Sequence, residues 1–134
     1  MIKLNADQLR KGQGSSIKGQ GKHSEIYIIL DNILDTYNIG AIFRLADAVA
    51  AKEVIICGAS ETPPNHRIKK ASINTTEVVN WSYSENTVKA INDLRSKIND
   101  IQIVAVEQSK DSIQYDKYNY KLPTALVVGH ESDG

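Results

Sequence analysis

Asn38-Ile39-Gly40-Ala41-Ile42-Phe43-Arg44-Leu45-Ala46-Asp47-Ala48 lies between two apolar runs, and its reading decides the fold. Ile26-Tyr27-Ile28-Ile29-Leu30 leads into it, and Val54-Ile55-Ile56-Cys57-Gly58 leaves it. The pattern is strand, turn, helix, strand. Asn38 is a candidate N-cap, because an Asn side chain accepts a bond from an orphan backbone N–H. Ile39, Ile42, Leu45, Ala46 and Val49 recur at helical spacing and are expected to bury one face. Arg44 interrupts them, so a solvated surface or a site must receive its charge.

Working outward, the apolar runs are continuous rather than alternating, as suits strands covered on both faces in a parallel sheet. Glu53 to Cys57 reads as the second strand. Glu61-Thr62-Pro63-Pro64-Asn65 must be a loop, since two prolines stop regular structure. His66, Arg67, Lys69 and Lys70 then form a short basic cluster, either a solvated surface or a phosphate contact beside a site. Thr75 to Trp81 is β-branched and apolar and is expected to be a strand. Ser84 is a candidate cap for a helix to about Ile98, with Val88, Ile91, Leu94, Arg95 and Ile98 on one side. Ile101 to Val106 reads as a strand, and Thr124 to Val128 as the last one. Between them Tyr115, Tyr118 and Tyr120 either stack on bases or cover a sheet edge or dimer contact. The alternation predicts an α/β three-layer sandwich with about five strands, mainly parallel.

The helical stretch resembles motif 1 of the SpoU (TrmH-like) family of RNA ribose methyltransferases, in the SPOUT superfamily. That motif reads roughly N-x-G-A-I-x-R-x-A-D-A, and Asn38, Gly40, Ala41, Ile42, Arg44, Ala46, Asp47 and Ala48 supply it. Thr124-Ala125-Leu126-Val127-Val128-Gly129-His130-Glu131-Ser132-Asp133-Gly134 is similar to motif 2, an apolar strand followed by G-x-E-x-x-G. Val104-Ala105-Val106-Glu107-Gln108 and Leu122-Pro123 resemble the approach to it. The resemblance covers about Ile26 to Gly134. A third family motif, with a Ser-Leu-Asn signature and a terminal helix, should follow motif 2 but does not occur before Gly134. In the family that segment ties a trefoil knot and closes the S-adenosylmethionine pocket. The resemblance therefore implies a SPOUT α/β-knot domain over residues 24–134, C-terminally shortened, with the knot incomplete and cofactor binding weak or lost.

The implied reaction is transfer of a methyl group from S-adenosylmethionine to a ribose 2′-hydroxyl of tRNA or rRNA. It needs donor and hydroxyl held in line, and help for the hydroxyl proton to leave. By resemblance Arg44, Asn38 and Glu131 are catalytic candidates. A guanidinium is a poor base but an excellent bidentate phosphate holder, so Arg44 is assigned to positioning a phosphate and lowering the hydroxyl's pKa. Without the motif, a surface salt bridge would be its default reading. Gly129, His130, Glu131 and Gly134, with Val106 and Glu107 at the end of the preceding strand, are the cofactor-binding candidates. Arg44, Arg67, Lys69, Lys70, Lys18 and Lys22 are the RNA-binding candidates. His23, His66 and His130 lack ligand spacing, so no metal site is expected.

At 134 residues the chain fits one domain, and 41% hydrophobic with 24% charged residues is ordinary for a globular protein. No run of about 18 apolar residues suggests a membrane span. Met1 to Asp7 has no signal-peptide character. Cys57, the single cysteine, sits in an apolar strand and reads as a buried inert thiol. These features favour the cytoplasm. Net charge is zero, but residues 1–23 carry five Lys/Arg against Asp7 alone, a net +4 balanced by −4 elsewhere. With six glycine and serine residues among Gly12, Gly14, Ser15, Ser16, Gly19 and Gly21, this arm reads as a flexible solubilising tail or as an electrostatic arm for phosphates. The leading expectation is a homodimeric RNA 2′-O-methyltransferase. The alternative is a non-catalytic RNA-binding or assembly module of the same fold. A generic nucleotide-binding domain ranks last, because no G-x-G-x-x-G or Walker loop is present.

Overall fold

Even-numbered and odd-numbered residues of Ile26–Asp31 bury on opposite sides, and this alternation sets the layers. Ile28 and Leu30 pack with Val54, Ile56, Ile39, Phe43 and Ile68 on one face, while Tyr27 and Ile29 pack with Ile55, Cys57, Ala90, Leu94 and Ala125 on the other. The computed structural model describes residues 23–130. Its elements are β1 (Ile26–Asp31), α1 (Thr36–Ala48), β2 (Glu53–Cys57), α2 (His66–Ser72), a 3-10 turn (Thr75–Glu77), β3 (Trp81–Ser84), α3 (Thr87–Lys97), β4 (Gln102–Val106) and β5 (Thr124–Gly129). The five strands form one sheet in the order β3-β2-β1-β5-β4. Every neighbouring pair is parallel. Helices α1 and α2 cover one face and α3 the other, giving the three-layer α/β sandwich expected from the sequence.

The boundaries differ from the sequence reading in ways that have physical causes. Asn38 is not the cap of α1; Asp35 is. The Asp35 carboxylate accepts from the backbone N–H of Tyr37 at 2.8 Å and of Asn38 at 3.4 Å, which places Asn38 inside the first turn. The buried face of α1 runs through Ile39, Phe43 and Ala46, an i, i+4, i+7 set. Leu45 and Val49 therefore fall on the outer side, 63% and 46% exposed. The helix ends at Ala48, and Ala50 turns left-handed with φ 53°.

Thr75 to Trp81 does not form the expected strand. The Thr75 hydroxyl donates to the carbonyl of Ser72 at 2.7 Å, and Asn74 takes φ 63°. That local bonding closes a 3-10 turn on the end of α2, and β3 begins only at Trp81. Ser84 ends β3, and Asn86 caps α3 by accepting from Lys89 N–H at 2.7 Å. Val88 is exposed, and Ala90 and Leu94 are the buried residues of α3. The basic cluster is the short helix α2, capped by Asn65, whose side chain accepts from Arg67 and Ile68 N–H at 2.9 and 3.2 Å.

Gly40 lies where α1 meets α2. A Cβ on it would stand 2.5 Å from Ala71 Cβ and 2.8 Å from Ser72 N. The motif 1 glycine is thus a packing requirement between two helices, which lets α1 settle against both α2 and the sheet.

Candidate functional site

In the strand order, β2 lies on one flank of β1 and β5 on the other, so the chain's direction of travel across the sheet reverses at β1. Open α/β sheets bind ligands outside the carboxyl ends of the strands at such a point. Asp31 pairs with Gly129, and Val106 with Val128, so the ends of β1, β5 and β4 lie side by side. A groove of about 240 Å³ opens there. Ile33, Leu34 and Asp35 from the β1–α1 loop form one wall, and Asn38, Ala41 and Ile42 of α1 form a second. Val128, Gly129 and His130 close it from β5. Apolar walls with a few polar groups aimed inward are the usual make-up of a small-molecule site.

The loop forming the first wall is held by its neighbour. Asn32 takes φ 53°, and its side-chain oxygen accepts from Ala59 N–H at 2.9 Å. Ile33 N–H donates to the Ser60 hydroxyl at 2.7 Å. Gly58 takes φ 67°, and a Cβ there would run into the Asn32 side chain. The Tyr83 hydroxyl donates to the Gly58 carbonyl at 2.8 Å, tying the end of β3 into the same structure.

The structure brings several sequence candidates together and separates others. Asn38, Gly129 and His130 line the groove. Val106 and Glu107 line a larger hollow at the end of β4, under the segment that returns through Tyr115, Tyr118 and Tyr120 to β5. Tyr118 and Tyr120 meet edge to face with centroids 5.1 Å apart, and Tyr115 is 83% exposed. Arg44 is exposed and forms no ion pair with another described residue. It lies on the exposed side of α1, one turn beyond Ala41, and does not line the groove. Arg67, Lys69 and Lys70 are exposed on α2, outside the groove. Lys18, Lys22, Glu131, Gly134 and the arm of residues 1–22 lie outside the described residues.

Sequence reasoning missed Asp35, Ile33, Leu34 and Ser60. Asp35 was legible, since an Asp just before an apolar-periodic stretch is an N-cap signal. Ser60 was not, because its partner lies 27 positions away. Cys57 is fully buried behind the loop, and burial pushes its thiol pKa up, so it carries no site chemistry. Among the described residues no group of three His, Cys, Asp or Glu side chains is placed to hold a metal ion, and no helix is long and apolar enough to cross a membrane.

The donor set at the strand ends suits S-adenosylmethionine. Val106 and Val128 pair across β4 and β5 and present apolar side chains at the strand ends. Glu107 is exposed just past β4. Gly129 ends β5 with no side chain to obstruct close approach.

A sequence profile described as the SpoU rRNA Methylase family matches residues 25–134. The chain is 31% identical over 117 residues to a tRNA (guanosine(18)-2′-O)-methyltransferase of Aquifex aeolicus, an alignment spanning 84% of this chain and 52% of that protein. It is 29% identical over 135 residues to the 23S rRNA (guanosine-2′-O-)-methyltransferase RlmB of Ralstonia nicotianae, spanning 99% of this chain and 49% of that protein. The AdoMet-bound rRNA methyltransferase of Sinorhizobium meliloti superposes with a TM-score of 0.72 at 28% identity, covering 84% of this chain and 42% of that one. The chain thus spans about half the length of the curated relatives it matches. With motif 1 on α1, motif 2 on β5 and the profile running from residue 25 to 134, the chain belongs to the SpoU rRNA Methylase family.

Proposed function

We propose that this protein methylates a ribose 2′-hydroxyl of tRNA or rRNA with S-adenosylmethionine, in the cytoplasm and as a homodimer. The observation that carries the reading is the convergence at the carboxyl ends of the strands of Asn38 and the motif 2 strand end Gly129-His130. Bound S-adenosylmethionine would supply a methyl group made electrophilic by its sulfonium. Val106, Glu107, Gly129, His130 and, from motif 2, Glu131 and Gly134 are the residues assigned to hold it. Arg44 grips a phosphate of the substrate with its planar two-pronged guanidinium. Its positive charge also stabilises the alkoxide that develops as the ribose hydroxyl loses its proton. Asn38, in the first turn of α1, orients the nucleotide from the groove wall. Arg67, Lys69 and Lys70 on α2 and Lys18 and Lys22 in the basic arm contact flanking phosphates, which carry affinity and salt dependence. In this reading residues 24–134 are the methyltransferase domain and residues 1–23 an RNA-contacting arm.

The test is methyl transfer from labelled S-adenosylmethionine to tRNA and rRNA lacking ribose methylation. Nuclease digestion then identifies the modified nucleoside. A 2′-O-methyl nucleoside is expected. Label on a base overturns the proposal, and RNA binding without any transfer favours a non-catalytic RNA-binding module.

A further inference from the structure

In the wall formed by Ile33, Leu34 and Asp35, the Asp35 carbonyl joins α1 by accepting from Ile39 N–H at 3.1 Å, whereas Ile33 N–H lies outside sheet and helix and needs a partner from elsewhere. The Ser60 hydroxyl accepts from it at 2.7 Å in a buried bond. Ser60 is 6% exposed and Ile33 5% exposed, so water does not compete for that bond. Ile33 packs into the core beside Leu30 and Ile39, while Leu34 is 55% exposed in the groove wall. Fixing Ile33 therefore fixes how Leu34 and the capping carboxylate of Asp35 are presented. Ser60 itself does not line the groove. It belongs to the loop after β2, whose Ala59 N–H also holds Asn32.

We infer that Ser60 is a positioning residue, which sets the groove wall and the start of α1 through the Ile33 amide. What Ser60 does follows from these hydrogen bonds. That this matters for methyl transfer rests on the function proposed above. Removing the acceptor strands a buried donor, and the loop should then open on its own more often, by roughly five- to hundred-fold. A residue that only contributed general stability would loosen the core and the loop together.

The experiment uses the full chain and needs no ligand for its first arm. Amide exchange is followed in wild type, Ser60→Ala, Ser60→Thr and Asn32→Gly. Ser60→Thr keeps the hydroxyl, and Asn32→Gly removes the second tie while tolerating φ near 53°. In Ser60→Ala the amides of Ile33 and Leu34 should exchange at least about five-fold faster relative to Ile29 and Ile56. Asn32→Gly should do the same more weakly, and it decides the matter if Ser60→Ala does not fold. Ser60→Thr should stay near wild type. Unchanged relative exchange in Ser60→Ala or, failing that, in Asn32→Gly overturns the inference. The second arm is steady-state methylation: Ser60→Ala should raise KM for RNA several-fold with kcat nearly kept, and Ser60→Thr should restore it. Faster loop exchange with KM unmoved overturns the positioning role. If wild type transfers no methyl group, the functional reading falls, and the exchange arm alone decides the role of Ser60.

Discussion

Replacing Gly40 with Ala sets two known effects against each other. In a solvated helix, Gly→Ala gains about 1 kcal/mol of helix propensity. Here the new Cβ would stand 2.5 Å from Ala71 Cβ, 2.8 Å from Ser72 N and 2.9 Å from Ala71 C. Two of these neighbours are backbone atoms, which cannot rotate away. To reach ordinary contact at 3.4 Å, the tightest of these contacts must lengthen by about 0.9 Å, so α1 and α2 must part by close to an ångström. Overpacking of this kind costs about 1–3 kcal/mol, and more when backbone must move. Because α1 is clamped between α2 and the sheet through Ile39 and Phe43, both fully buried, the upper part of that range applies. The net expectation is a loss of about 1–2 kcal/mol, or roughly 3–10 °C in Tm for a chain of this size. Urea unfolding followed by circular dichroism measures it. The double variant Gly40→Ala/Ala71→Gly should recover only part of the loss, since it removes the Cβ contact and leaves the two backbone contacts. A Gly40→Ala protein as stable as wild type, or more so, would show that propensity outweighs helix contact, and the packing account of this glycine would be wrong.

Three further outcomes are expected. In protein that transfers methyl groups, Arg44→Ala should remove transfer while leaving cofactor affinity nearly unchanged, and Arg44→Lys should remain badly impaired, because an ammonium lacks the planar grip; near-normal turnover of Arg44→Ala in the labelled-methyl assay contradicts the assignment. Deleting residues 1–23 should weaken RNA binding and flatten its salt dependence, with little effect on turnover at saturating RNA; an unchanged slope of log K against log salt rules out a phosphate-contacting arm. Burial raises the pKa of Cys57, and burial followed by the nearby charges of Glu53 and Glu25 raises that of Tyr27. Each group is held protonated in the folded state, so its contribution is complete below the unfolded pKa and fades as pH rises. Urea midpoints should therefore fall above about pH 9, less steeply in Cys57→Ala, and a midpoint that rises from pH 8 to 10 refutes this.

The sheet was legible because its signal is local. The continuous apolar runs at Ile26–Leu30 and Val54–Cys57 are short and rich in β-branched residues, which favours strands covered on both sides, and helices fill the intervals. What escaped is what tertiary contact decides. Leu45 and Val49 fit a helical period as well as Phe43 does, and only the placement of α1 on the sheet selects the buried set. Thr75 to Trp81 has strand composition, but the bond from Thr75 to the end of α2 claims it for a turn. In the groove, Asn38 and Gly129 were legible through their motifs, whereas Arg44, an unexplained charge on the same helix, does not line it. Ser60 acts on a backbone amide across the fold, and no sequence pattern marks that.

We propose that the ends of β1, β5 and β4 form the methyl-donor and ribose site. Nuclear magnetic resonance titration of the isotope-labelled chain with S-adenosylmethionine decides it, because shift changes register weak binding as well as tight. Perturbations confined to Val106, Glu107, Val128, Gly129 and His130, reaching Asn38 when a short RNA is added, are the predicted result. Perturbations centred instead on the opposite face, around Tyr27, Glu53, Lys89 and Lys97, would contradict it.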